Sequence, residues 1–119
     1  MGETPDIVER TFRFALSIIE LTGELNGRSS SQRVLSNQVL RSGTSIGANV
    51  EEAQAAESKA DFIHKYNIAL KEARETKYWL KLLSASTTVG QRDLGTLIKE
   101  SDELCRIIAQ IIINARRNK

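Results

Sequence analysis

Proline is almost absent from this chain, and cysteine and histidine are equally scarce. Pro5 is the only proline among 119 residues and lies near the start. Because proline disrupts a helix interior, its scarcity favours long, uninterrupted helices. Cys105 is the only cysteine, which excludes a disulfide framework within the chain.

The sequence also lacks long apolar runs and an excess of either charge. No apolar run approaches the roughly 20 residues of a membrane span, and the first residues do not resemble a secretory signal. We therefore expect a cytoplasmic protein without a membrane partner. The 17 basic and 15 acidic side chains leave a net charge of +2, which is too balanced to indicate nucleic acid by itself. The length and the 40% hydrophobic content are typical of one globular domain, residues 1–119.

Apolar and small residues recur at alternating spacings of three and four in four segments, as on the buried face of a bundle helix. The four sets are Ile7, Thr11, Phe14, Ile18, Leu21 and Leu25; Leu35, Val39, Ser42, Ile46, Asn49 and Ala53; Phe62, Tyr66, Ala69, Ala73, Thr76, Leu80 and Leu83; and Leu94, Leu97, Ser101, Leu104, Ile108, Ile111 and Ala115. Connections of a few residues join antiparallel neighbours. The sequence predicts an all-α fold, an antiparallel up-and-down four-helix bundle.

Capping residues indicate where the helices begin and end. Thr4 before Pro5 predicts an N-cap followed by the first helical residue, and Ser58 followed by Asp61 resembles a capping box. The remaining predicted boundaries are Asn26-Gly27 after the first helix, about Thr87 with Gly90 after the third, and Asp93 at the start of the fourth.

Residues 41–50, RSGTSIGANV, continue the helical period despite two glycines, each of which costs about 1 kcal/mol in a helix interior. A phosphate-binding P-loop is excluded, because Gly43 and Gly47 are only four apart and no lysine follows. Small side chains let helices approach closely, and Asn49 can hydrogen-bond across the bundle. The alternative is a ligand or partner site made of the small polar groups. The close-packing residues are Ser42, Gly43, Ser45, Gly47 and Asn49.

Catalytic and metal-binding patterns are missing. Asp61 and His64 have the spacing of a di-iron bundle motif, but His64 is the only histidine and lies opposite the predicted buried face. Cys105 follows Leu104 and has no partner base for nucleophilic chemistry, so it is interpreted as a small buried group. We predict a non-enzyme without metal, cofactor or small-molecule substrate.

A basic arc is predicted on the third helix. At about 100° per residue, five residues fall within an arc of roughly 100° opposite the buried face. An aromatic ring among cations can stack on a base while the cations meet phosphates. The alternative is a solvated face, in which Glu75 beside Lys71 is ordinary helix pairing. The candidate nucleic-acid residues are His64, Lys71, Arg74, Tyr78 and Lys81, with Arg116 and Arg117 near the C-terminus.

Apolar residues outside the predicted buried faces indicate self-association. The candidate interface residues are Ile68 and Leu82 on the third helix and Ile107 and Ile113 on the fourth.

Two segments carry a family resemblance. RSGTSIGANVEEA (41–53) followed by SKADFIHKYNIALKEARETKYWLKLL (58–83) strongly resembles the four-helix-bundle proteins encoded in intervening sequences of bacterial 23S ribosomal RNA genes. The resemblance implies four-helix protomers assembled as rings of five. It also implies RNA, DNA or a nucleic-acid enzyme as partner, because relatives serve as basic accessory proteins to the reverse transcriptase of diversity-generating retroelements. Most members have no assigned activity.

One departure concerns the second helix. Where the family often has Ala-Glu-Gly, this chain has Glu51-Glu52-Ala53-Gln54, which predicts a longer helix. Two function classes remain open. The first is a homo-oligomeric scaffold that binds nucleic acid or a nucleic-acid enzyme through basic faces. The second is an oligomeric protein–protein interaction scaffold with no nucleic-acid role.

Overall fold

A computed structural model describes residues 3–25, 29–86 and 94–118, with side chains from Asp6 onward. These residues form four helices and no strand: α1 (Glu3–Leu25), α2 (Ser30–Gln54), α3 (Lys59–Ala85) and α4 (Gly95–Arg117). The all-α prediction is confirmed. Residues 41–50 lie inside α2, so the two glycines do not interrupt the helix, and α2 extends to Gln54 as the departure from the family pattern predicts.

Neighbouring helices run antiparallel. Ser42 in the middle of α2 meets Thr76 of α3, whereas Gln54 at the end of α2 bonds Tyr66, nearer the start of α3. Between α3 and α4, the contacts Lys77–Asp102 and Lys59–Asn118 also run in opposite directions along the two helices. The contacts Ile18–Gly43 and Thr11–Gly47 do the same between α1 and α2. The described bundle measures 50 by 21 by 19 Å. Of the neighbouring pairs, α1 and α4 contact each other least.

The predicted buried faces are correct for α1 and nearly so for α3. All six α1 positions are at most 3% exposed, and on α3 only Phe62 is half-buried rather than buried. On α2, Leu35 and Asn49 are half-buried, while Val50 and both glycines are buried.

Near the end of α4, Ile112 is buried, whereas the predicted Ile111 is only half-buried. Leu97 and Ala115 are also half-buried. After Ile108 the next buried residue is four positions on, at Ile112, rather than three. Because isoleucine stands at both 111 and 112, the spacing of apolar residues does not distinguish a step of three from a step of four.

Side-chain caps begin the second and third helices. Ser29 Oγ accepts a hydrogen bond from the backbone N–H of Gln32. Ser58 Oγ accepts from Asp61 N at 3.0 Å, and the Asp61 carboxylate accepts from Glu57 N. The bond from Asp61 N to Ser58 is the first half of a capping box. The Asp61 carboxylate bonds the N–H of Glu57 instead of that of Ser58, so the second half is not formed. α1 begins at Glu3. The predicted boundary residues Asn26, Gly27, Thr87, Gly90 and Asp93 lie outside the described residues, as does the side chain of Thr4.

Candidate functional site

The glycines of residues 41–50 lie where α2 crosses α1. A Cβ on Gly43 would be 2.9 Å from Cγ1 of Ile18, and a Cβ on Gly47 would be 3.3 Å from the backbone oxygen of Thr11. Both glycines are buried. Side chains at these positions would force the helices apart, so the glycines set the separation of the two backbones.

The polar residues of the same stretch satisfy their hydrogen bonds locally. Ser45 Oγ donates to Arg41 O at 2.7 Å. Asn49, which was expected to bond across the bundle, instead donates to Ser45 O on its own helix at 2.9 Å and is half-buried. The bond across the bundle is made by Ser42, whose Oγ lies 2.9 Å from Thr76 Oγ1 in the buried core. The expectation for Asn49 is therefore wrong because a flexible amide on a helix reaches the carbonyl one turn earlier.

The buried polar groups of this stretch are all hydrogen-bonded. Among the described residues, every buried side-chain nitrogen and oxygen has a hydrogen-bond partner. The geometry is that of close packing, in which small residues bring α2 against both of its neighbours.

The two segments that carry the family resemblance are joined by an ion-pair cluster that the sequence interpretation did not identify. Arg41 of α2 binds Glu72 at 3.2 Å and also pairs with Glu75 of α3. Trp79 Nε1 donates to the same Glu75 carboxylate at 3.0 Å. Helical periodicity does not reveal this cluster, because it depends on which turns of two helices face each other.

A second cation is held in the same way on the opposite side. Arg10 of α1 donates to Glu100 at 2.7 Å and to Glu103 at 3.1 Å, both on α4. The hydrogen bond with Glu100 is the largest cause that raises the pKa of Arg10. Arg10 and Arg41 therefore each bridge two helices through pairs of carboxylates.

The outer surface of α3 and α4 has the opposite character, and we call it the basic face. His64, Lys71, Arg74, Tyr78 and Lys81 are all exposed, as are Arg116 and Arg117 in the last turn of α4. Within the described residues, Lys71, Arg74 and Lys81 make no ion pair. The basic face consists of His64, Lys71, Arg74, Lys77, Tyr78 and Lys81 on α3 and Asp102, Arg106, Arg116 and Arg117 on α4.

The only acid in the basic face is already neutralised. Asp102 pairs with Lys77 and with Arg106, each at 2.6 Å. The hydrogen bond from Lys77 is the largest cause that lowers the pKa of Asp102. The carboxylate is thus held ionised between two cations, and the net charge of the face is strongly positive.

A shallow depression of about 400 Å³ lies in the basic face. The Tyr78 ring beside it is 56% exposed and contacts Trp79 edge-on, with ring centroids 5.3 Å apart. Cys105 lines the floor, and burial raises the pKa of its thiol, so the thiol is held neutral. Cations around a concavity with an exposed ring suit an anionic ligand that also carries a flat group. The lining residues are Arg74, Lys77, Tyr78, Lys81, Asp102 and Cys105.

Asp61 and His64 are the residues with the spacing of a di-iron motif. His64 is exposed, and Asp61 is engaged at the start of α3. The part of the chain that the structure describes contains no group of three or more His, Cys, Asp or Glu side chains that could hold a metal ion. None of the described helices is long and apolar enough to cross a membrane.

The exposed apolar surface lies mainly elsewhere than the sequence predicts. Ile68, Leu82 and Ile107 are half-buried, and Ile113 is 44% exposed. Larger exposures occur on α1, where Phe12, Leu16 and Ile19 are 59%, 52% and 51% exposed. These residues are spaced by four and three, so they form a second apolar stripe on the side of α1 away from the buried one. The spacing is visible in the sequence, but the sequence interpretation did not use it.

Comparisons with known proteins agree with this architecture. The family model of 23S rRNA-intervening sequence proteins matches residues 3–110. A crystal structure of a protein of unknown function from the S23 ribosomal protein family of Bacteroides thetaiotaomicron is 42% identical, with a TM-score of 0.81. The alignment covers 89% of this chain and 97% of that one. No curated protein matches. This chain therefore belongs to the family of 23S rRNA-intervening sequence proteins.

Proposed function

We propose that this protein is a non-enzymatic, cytoplasmic homopentamer that binds RNA or DNA through the basic face, alone or together with a nucleic-acid enzyme. The observation that carries the proposal is the distribution of paired and unpaired cations. Arg10 and Arg41 are held by carboxylates at helix contacts, whereas Lys71, Arg74 and Lys81 point outward without an acidic partner among the described residues.

The spacing of these three cations suits a nucleic-acid backbone. Lys71 and Lys81 are ten residues apart on one helix, which places them about 15 Å apart along the axis. Cations in such a row neutralise successive phosphates and release counterions, and this interaction does not depend on base sequence. Tyr78 between them offers a ring on which any base can stack. In a ring of five, the row is repeated around the assembly.

The proposal is tested by measuring binding against salt. A fluorescently labelled single-stranded RNA and the matching DNA are titrated with wild-type protein and with Lys71→Gln/Arg74→Gln/Lys81→Gln. Because the slope of log affinity against log salt is about −0.7 per phosphate contact on single strands, the triple variant should flatten the slope by about 2. Affinity should fall equally for all base sequences.

A matched variant removes the same charge from other surfaces. Arg13→Gln/Arg33→Gln/Lys65→Gln also lowers the net charge by three, but its residues lie outside the basic face. It should retain most of the wild-type affinity. If both triple variants weaken binding equally, the effect is net charge alone and the basic face is not the site.

Absence of binding by the wild type at about 50 mM salt, where phosphate contacts are strongest, would overturn the nucleic-acid proposal. The second candidate, a protein–protein interaction scaffold, would then lead, and the exposed apolar stripe on α1 favours it. Light scattering tests the assembly separately. Five protomers of 13.3 kDa should give about 67 kDa, and a stable 13.3 kDa species at micromolar protein would refute the pentamer.

A further inference from the structure

We infer that the depression between α3 and α4 receives an unpaired base, so that the basic face binds single strands through stacking as well as charge, and duplexes through charge alone. The inference rests on the proposed binding of RNA or DNA and deepens it by naming the kind of strand. A ring and two unpaired cations border one concavity of about 400 Å³. They are Arg74, Tyr78 and Lys81 of α3, and the depression continues to Asp102 and Cys105 of α4.

Tyr78 carries the exposed aromatic ring of α3. Tyr78 is 56% exposed, whereas Phe62 and Trp79 are half-buried and Tyr66 is buried. Trp79 contacts the Tyr78 ring edge-on and is itself held by a hydrogen bond to Glu75. An edge-on contact covers at most one face of a ring, and more than half of the Tyr78 surface is open to solvent. A flat partner can therefore stack on this ring.

Two cations flank the ring along the helix. Arg74 lies four residues before Tyr78 and Lys81 three residues after it, so both side chains are neighbours of the ring on the same side of α3. Their separation of seven residues corresponds to about 10 Å along the axis. Both are exposed, and neither has an acidic partner among the described residues. A strand that stacks one base on Tyr78 therefore meets a cation on each side of that base.

The α4 side of the depression does not oppose an anion. Asp102 is bonded by Lys77 and by Arg106, each at 2.6 Å, so these three groups together carry one positive charge. Burial raises the pKa of the Cys105 thiol on the floor, which keeps the floor uncharged. A phosphate at the rim therefore meets positive charge, and a base inside meets a neutral surface.

Base pairing decides whether the ring contributes to binding. In a duplex the flat faces of the bases are stacked on one another, and a protein reaches them only by unstacking and unpairing a nucleotide. A single strand offers the face of every base, whatever its identity. The cations contact the phosphates of either form. Tyr78 should therefore add affinity for single strands and none for duplexes.

The length of the cation row favours a strand over a free nucleotide. Lys71 and Lys81 are about 15 Å apart along the axis of α3. A nucleotide with one phosphate neutralises one of these cations, whereas a strand neutralises them in succession and releases more counterions. The depression is therefore one position on a longer binding surface.

The test separates the ring from the charges. A labelled single-stranded RNA, the same RNA annealed to its complement and a labelled mononucleotide are titrated with wild-type protein, Tyr78→Phe and Tyr78→Leu. Tyr78→Leu keeps an apolar side chain without a ring. It should weaken single-strand binding by roughly tenfold, within the range for the loss of one stacked base, and leave duplex binding unchanged.

The matched variant and the salt dependence serve as controls. Tyr78→Phe keeps the ring and should bind the single strand as the wild type does. Neither substitution removes a charge, so the slope of log affinity against log salt should stay at the wild-type value in both variants. Circular dichroism should show wild-type helix content, because Tyr78 is exposed and exposed substitutions have small effects on stability. The mononucleotide should bind more weakly than the strand.

A second measurement locates the base. Cys105 is the only cysteine in the chain and lines the depression. The rate of its alkylation by an uncharged maleimide therefore reports access to this one place. Saturating single strand should slow the alkylation, and saturating duplex should slow it less, because the duplex keeps its bases outside the depression.

The inference is overturned if Tyr78→Leu binds the single strand as tightly as the wild type, or if it loses affinity for strand and duplex equally. An equal loss in Tyr78→Phe, or a bound strand that leaves Cys105 as reactive as in the free protein, also overturns it. In these cases the wild type still binds nucleic acid, so the proposed function stands. A mononucleotide that binds as tightly as the strand would make the depression a small-ligand site instead. A wild type that binds none of the three would remove the proposed function itself.

Discussion

The contacts of α2 and those between α1 and α4 show two ways of joining helices. α2 meets α1 through Gly43 and Gly47, and it meets α3 through Ser42. Between α1 and α4, the long side chain of Arg10 reaches Glu100 and Glu103, beside a groove of about 560 Å³. Small residues therefore bring backbones together, while long charged residues connect helices that remain further apart.

The difference has an energetic consequence. Close packing leaves no room for added atoms, so a larger side chain at a glycine must displace its neighbours. The side chains of Arg10 and Glu100 are about one-third exposed and that of Glu103 is 48% exposed, and ion pairs in contact with water contribute at most about 1 kcal/mol. We expect substitutions along α2 to affect stability more than substitutions between α1 and α4.

The largest effect is expected at Gly47. In Gly47→Leu the new Cβ meets the Thr11 backbone oxygen at 3.3 Å, and a helix backbone cannot rotate away as a side chain can. Overpacking of this kind typically lowers the free energy of unfolding by about 1–3 kcal/mol. Urea unfolding followed by circular dichroism measures the loss.

A control glycine lies on α1. No atom lies within 4 Å of a Cβ added to Gly23, so Gly23→Ala meets no obstacle. It should leave stability unchanged or raise it by up to about 1 kcal/mol, because alanine is the better helix former. If Gly47→Leu also left stability unchanged, the α1–α2 contact would not be tightly packed.

The sequence predicts most of this architecture, for reasons that particular residues make clear. The α1 face from Ile7 to Leu25 is buried as predicted, because its apolar spacing directly encodes one side of a helix. The α4 prediction fails at Ile111 and Ile112 because isoleucine stands at both positions, so the apolar spacing does not choose between them. Relations between helices are harder to predict, and the Arg10 and Arg41 ion pairs were missed because they depend on axial register.

For the candidate surfaces too, features of a single helix can be predicted from the sequence, whereas relations between helices cannot. Exposure of Lys71, Arg74 and Lys81 follows from helical geometry alone, and the sequence locates them correctly on an outer face. That these three cations have no acidic partner among the described residues, whereas Arg41 has two, depends on the arrangement of neighbouring helices. The stripe of Phe12, Leu16 and Ile19 was recoverable from its spacing, but the stronger buried stripe on the same helix obscured it.

The next effect concerns the α2–α3 contact. Thr76 Oγ1 lies 2.9 Å from Ser42 Oγ and 2.7 Å from Glu72 O in a fully buried position. Thr76→Val keeps the shape and removes the hydroxyl, so it should lower the free energy of unfolding by about 1 kcal/mol. Thr44→Val is the matched control, because Thr44 bonds only carbonyls of its own helix. Equal losses in both variants would show that the bond between helices adds nothing.

A smaller effect is expected between α1 and α4. Arg10→Gln removes both ion pairs, and about 0.5–1 kcal/mol of stability should be lost at low salt. The loss should shrink as salt is raised, since exposed charges are screened. A double-mutant cycle with Glu100→Gln isolates the pair. A loss above that of Gly47→Leu would reverse the ranking of the two kinds of contact.

The smallest effect on stability is expected at Asp102, which is paired with Lys77 and Arg106. Its pKa is lowered in the folded protein, so its contribution is fully present above the unfolded value of about 3.9. The contribution is lost as pH falls through the folded pKa. The stability difference between wild type and Asp102→Asn should therefore be constant from neutral pH to about pH 5 and vanish in stronger acid.

The same substitution should act in the opposite direction on nucleic-acid binding. Without the carboxylate, Lys77 and Arg106 lose their acidic partner and join the unpaired cations of the basic face. Asp102→Asn should then bind the labelled RNA more tightly and steepen the salt slope by up to about 1.4, because two further cations can each contact a phosphate. Unchanged binding would mean that Lys77 and Arg106 do not reach the RNA, which would limit the contact to the outer row of Lys71, Arg74 and Lys81.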